Sequence, residues 1–144
     1  MTEILALLLR VAGAGLILLA VLHVPIGRRL NWRADAARLT PVNASIFHVH
    51  TFFICLVLVM MGLPSLIEPG IFLEKSAAGA WAAWSLSAFW AARLYFQWFV
   101  YQGDLWRGKR LETAVHWWFT FVWAALAGLY GACGLWQSGW LVNR

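Results

Sequence analysis

Acidic residues are scarce in this chain, six among 144, and charged residues of both signs together make up only 12% of it. A coat of charge that thin excludes an ordinary soluble domain, whose surface calls for about a quarter of all residues to be charged. Cysteine is almost as rare: Cys55 and Cys133 are the two present. Both fall inside apolar stretches, which argues against a disulfide framework and for small buried thiols. No phosphate-binding or dinucleotide glycine signature occurs, and no Ser, His and carboxylate set stands together for nucleophilic catalysis. Repeats and low-complexity segments are likewise missing.

What fills the chain is hydrophobic, 62% of its residues, with a mean hydropathy of +0.71. A bilayer core of about 30 Å is crossed by about 20 apolar residues in a helix. Four stretches qualify, at residues 4–24, 42–66, 77–101 and 113–136. Barrel strands would alternate polar and apolar residues, whereas these runs are apolar on every side. The expected fold is therefore all-α: a polytopic membrane protein whose single domain, residues 1–144, is an antiparallel bundle of four transmembrane helices. The first stretch does not read as a cleaved signal, because Met1–Glu3 has no basic residue, Arg10 interrupts the run and His23-Val-Pro25 lacks a small-residue cleavage site.

Local punctuation sets the boundaries. Pro25 and Gly27 are expected to end the first helix, Thr40-Pro41 to cap and open the second, Pro64 with Glu68-Pro69-Gly70 to end it, and Gly103-Asp104 to end the third. Between the first two helices, Leu30, Trp32, Ala36, Ala37 and Leu39 interleave with Arg33, Asp35 and Arg38, a pattern that suits a short interfacial helix. Arg28, Arg29, Arg33 and Arg38 crowd this first loop and Arg107, Lys109 and Arg110 the third, while the middle loop holds Lys75 beside Glu68 and Glu74. The positive-inside rule then places both basic loops in the cytoplasm and both termini outside, in the inner membrane. The net charge of +5 reflects this topology, with anionic lipid headgroups as partners of the basic loops and no nucleic acid.

Tryptophan is abundant, eleven residues in all. Trp32, Trp106, Trp136 and Trp140 fit an aromatic belt at headgroup depth. Trp81, Trp84, Trp90, Trp98, Trp117, Trp118 and Trp123 lie within the spans and suit lipid-facing or packing roles. The run Ala12-Gly-Ala-Gly15 carries the small residues that let two helices approach closely.

Chemistry points to the histidines. His23, His48, His50 and His116 fall at corresponding ends of three of the stretches, so a bundle would bring them to one level near the cytoplasmic face. His48 and His50 stand about 200° apart around their helix, so they point to opposite sides. His48, sharing a stripe with Thr51 and Cys55, is the expected core-facing member. The third stretch adds Arg93, Gln97 and Tyr101 on one face. An arginine so deep is costly in lipid and implies a polar interior or a ligand, and no Asp or Glu lies within the spans to neutralise it. Two kinds of function compete. In one, the four histidines hold haem b or a transition metal as a redox centre, with His48 and His116 the axial pair, His23 a substitute, and Arg93, Gln97 and Tyr101 contacting the cofactor; a non-haem cluster would recruit Glu112 or Asp104. In the other, the chain is a non-catalytic structural or assembly subunit of a larger membrane complex or homo-oligomer.

Overall fold

The computed structural model describes residues 1–101 and 103–139, and every regular element among them is helical. In chain order these are α1 (Thr2–Arg29), α2 (Trp32–Ala36), α3 (Pro41–Ile67), α4 (Gly70–Leu73), α5 (Ala77–Phe99), a 3₁₀ turn at Gly103–Leu105, and α6 (Arg110–Gln137). Among the described residues, α1, α3 and α6 are the helices long and apolar enough to cross a membrane. The remaining long helix, α5, has the length but not the hydropathy, because Trp81, Trp84, Trp90, Ser85, Ser87, Arg93 and Gln97 dilute its apolar residues.

Several boundaries depart from the sequence expectation. Pro25 and Gly27 do not end α1, which runs on to Arg29. Proline forfeits one intrahelical hydrogen bond but not the helical path, and the basic pair Arg28 and Arg29 in the last turn complements the helix dipole. The stop comes at Asn31, whose φ of 54° is left-handed, a conformation asparagine tolerates better than most residues. Pro64 likewise sits inside α3, which ends only at Ile67. The expected cap is present: Thr40 Oγ1 accepts from the Asn43 amide at 3.4 Å with Pro41 opening the helix. Ser76 Oγ, not foreseen from the sequence, caps α5 by accepting from the Gly79 amide at 3.0 Å.

The chain packs as two units, Leu9–Pro69 and Met1–Leu8 together with the chain from Gly70 onward. In the first, α1 and α3 run antiparallel and meet at two glycines. A Cβ on Gly13 would lie 2.5 Å from the Gly62 carbonyl oxygen, and one on Gly62 would lie 2.8 Å from the Gly13 carbonyl oxygen. Gly15, one of the small residues in the same run, has open space around it. The short interfacial helix read from the loop is α2, which lies between these two helices in sequence and packs Trp32 against Phe47 of α3 at 5.8 Å.

In the second unit α5 and α6 pair antiparallel along their length. Gly134 receives the indole of Trp84, Ser87 Oγ donates to the Ala127 carbonyl at 2.9 Å, and Trp90 stacks on Trp123 at 5.0 Å. One end is fastened by Gln137, whose Oε1 accepts from the Ser76 amide at 2.9 Å, and by Trp136, whose Nε1 donates to the Leu73 carbonyl at 2.8 Å. Trp136 therefore has a fixed protein partner beyond any belt role. Trp81, Trp98, Trp117 and Trp118 are exposed, as lipid-facing rings would be. Trp140 lies outside the described residues. Both cysteines are free thiols, Cys133 wholly buried.

Candidate functional site

Two polar constellations stand out, one in each unit. In the second unit, Arg93 and Gln97 lie one turn apart on α5, and Arg93 Nη1 donates to Gln97 Oε1 at 3.3 Å. Gln97 Nε2 meets His116 Nδ1 of α6 at 3.0 Å. The direction of this chain is fixed by chemistry. A guanidinium has only donors, so the oxygen of the Gln97 amide faces Arg93 and its nitrogen donates to His116. His116 Nδ1 is then an acceptor, and the imidazole is neutral with its proton on Nε2. Trp106 stacks on the ring with centroids 4.2 Å apart and planes 10° from parallel. The Thr113 hydroxyl donates to the Trp106 carbonyl at 2.6 Å and holds that segment against α6.

Among the described residues no carboxylate pairs with Arg93. Its Cζ lies 5.1 Å from the Trp123 ring and 5.5 Å from the Tyr101 ring, so two π faces and one amide oxygen share it. Gln97 and His116 are buried and Arg93 half-buried, while Tyr101 is exposed. The Nε1 groups of Trp90, Trp106 and Trp123 and the Thr120 hydroxyl are buried without a hydrogen-bond partner among the described residues. The sequence thus found Arg93, Gln97 and Tyr101 as neighbours. It did not find the stacked partner of His116, because Trp106 reads as a belt residue until the turn at Gly103–Leu105 carries it back over the helix.

The other constellation is a cavity of about 450 Å³ in the first unit, formed by the end of α1, by α2 and by the start of α3. Arg28, Asn31, Arg33, His48 and Thr51 supply its polar lining, and Val24, Trp32 and Phe47 supply apolar wall. His48 and Thr51 share a face of α3, as their spacing implies. No Asp or Glu lines the cavity; the acid of this loop, Asp35, pairs with Arg38 at 3.8 Å. An aromatic series runs along it, with Trp32 6.3 Å from His23, and Phe47 5.5 Å from His48.

Within its own unit each histidine has its own neighbours. His23 Nδ1 lies 2.8 Å from the Leu19 carbonyl and His50 Nδ1 3.0 Å from that of Ile46. A carbonyl only accepts, so Nδ1 carries a proton in both, and Nε2 is the ring nitrogen with no hydrogen bond to a described residue. His116 is the reverse, since Nδ1 is occupied by Gln97 and Nε2 is protonated. A ligand role for it requires the Gln97 bond to break. Within their unit His48 and His50 are both exposed, and His48 lines the cavity. Among the described residues no three His, Cys, Asp or Glu side chains gather as a metal-holding group. Comparison with protein-family models, curated proteins and solved structures finds no match for this chain.

Charge and apolar spacing mark the basic loop and its short helix in the sequence, but not that they fold around a cavity. The available signal was Asn31, directly after a basic helix end and directly before a tryptophan, where a left-handed residue reverses the chain.

Proposed function

We propose that this protein is a multi-pass protein of the inner membrane whose role is to bind an anionic amphiphile by its headgroup at the cytoplasmic interface. The observation that carries this reading is the cavity: two guanidiniums, Arg28 and Arg33, line it beside Trp32 and Phe47, and its lining offers no acid to neutralise them. A basic recess at the end of a membrane-spanning helix, with an apolar wall for the upper part of a lipid, matches the headgroup of an anionic lipid in charge and polarity. In this arrangement α5 is the fourth span. Its 23 residues rise about 34 Å, and the antiparallel pairing with α6 supports the same depth for both. The Arg93–Gln97–His116 chain then serves to hold α5 to α6 where Arg93 pairs with no carboxylate among the described residues.

The test is lipid retention. The protein, extracted in mild detergent and exchanged into nanodiscs of mixed zwitterionic and anionic phospholipid, should enrich anionic lipid at its boundary, as read by native mass spectrometry. The double change Arg28→Gln and Arg33→Gln should remove the enrichment, whereas Arg107→Gln, in the other basic loop, should leave it in place. Equal retention of both lipid classes by the unaltered protein would sink the reading.

A further inference from the structure

The charge inventory of the cavity goes beyond a generic anionic headgroup, and we infer that its ligand is a phosphomonoester lipid, bound through a terminal phosphate rather than a bridging phosphodiester. This rests on the headgroup reading above and sharpens it. A phosphodiester carries one negative charge, which a single guanidinium matches. A terminal phosphate carries about −1.5 to −2 near neutral pH and presents three acceptor oxygens.

The cavity offers donors in that surplus. Arg28 and Arg33 both line it, and neither forms an ion pair with any described residue. Each guanidinium can give two parallel hydrogen bonds to a phosphate. Asn31 adds an uncharged donor, whereas the Thr51 hydroxyl already donates to the Phe47 carbonyl at 2.9 Å. His48 is the third basic side chain of the lining, and its ring nitrogens make no hydrogen bond to a described residue. It differs in this from His23, His50 and His116, each of which is already engaged. The acids of the chain are elsewhere: Asp35 turns to Arg38, and nothing else in the lining can accept from two guanidiniums at once.

Shape agrees with charge. A volume of about 450 Å³ is several times what one phosphate fills, so phosphate and glycerol portion enter together. Trp32 then forms the wall against which the apolar part lies. The position of Trp32 is itself fixed, since a Cβ on Gly27 would come 2.9 Å from its ring. Gly27 is thus the residue that lets the wall close on α1.

Short-chain lipids allow a direct measurement. Dioctanoyl phosphatidic acid, a monoester, and dioctanoyl phosphatidylglycerol, a diester, are titrated into the full-length protein in a non-ionic detergent and followed calorimetrically. The monoester should bind at least about tenfold more tightly, the difference of roughly one charge-assisted hydrogen-bonded contact. Arg28→Gln and Arg33→Gln should each narrow that ratio, and Gly27→Val, which displaces Trp32, should weaken both lipids alike. Glycerol 3-phosphate alone separates a lipid site from a site for free phosphate: weak or absent binding is expected, and affinity equal to that of phosphatidic acid would overturn the lipid assignment. Equal affinity for the two lipids would overturn the monoester inference and leave the anionic-headgroup reading standing. Binding of neither lipid would overturn both.

Discussion

A guanidinium carries donors and no acceptor, and at the scale of single residues that fact travels from Arg93 to His116. Once the Gln97 oxygen is committed to Arg93 at 3.3 Å, its amide nitrogen must face His116 at 3.0 Å, and the imidazole tautomer follows. The opposite tautomer holds at His23 and His50, where a helix carbonyl is the neighbour of Nδ1. Nitrogen-15 spectra of histidine-labelled protein should therefore show the proton on Nε2 in His116 and on Nδ1 in His23 and His50. Replacing Gln97 by leucine strands both neighbours in a buried setting and should destabilise the protein by about 1–3 kcal/mol, with loss of the distinct His116 signal. An Nδ1-protonated His116 in the unaltered protein would refute the donor–acceptor sequence. Positions 93, 97 and 101 were legible as one helix face from spacing alone. The tautomer was not, because it depends on a bond between residues 19 apart in the chain.

Among the elements, the α1–α3 pair turns on glycines that look alike in sequence and differ in space. A Cβ added to Gly13 or Gly62 would meet backbone at 2.5 or 2.8 Å, whereas one on Gly15 would meet nothing within 4 Å. Gly13→Ala and Gly62→Ala should each lower the melting temperature in detergent, at a cost of about 1–3 kcal/mol for forcing two backbones apart. Gly15→Ala should be neutral or stabilising by up to about 1 kcal/mol through helix propensity. Equal effects at positions 13 and 15 would show that the close approach does not matter. The small-residue run announced that a helix would pack there, but which of its glycines did so depends on the rotation of α1. The prolines carry the matching lesson: Pro25 and Pro64 read as stops, yet both lie inside helices, since the lost amide is outweighed by the apolar residues on either side that stay helical.

For the whole molecule, the proposed cytoplasmic opening of the cavity rests on the charge of the basic loops. Reporter fusions after Gly70 and after Arg110 should give opposite signals, external for the first and cytoplasmic for the second; a cytoplasmic Gly70 fusion would invert the orientation and move the cavity outside. Sequence by itself determined the helical class, three of the four expected apolar spans and the cap at Thr40, because hydropathy, helix periodicity and capping act over neighbouring residues. It also determined that Arg93 needs an uncommon partner, since no acid lies within the spans. Only the tertiary structure decided what that partner is, that Trp106 covers His116, and that Arg28, Arg33 and His48 line one recess. These are contacts between residues far apart in the chain or across a turn, and their geometry is set by how the helices are rotated and how the turns at Asn31 and Gly103–Leu105 redirect the chain.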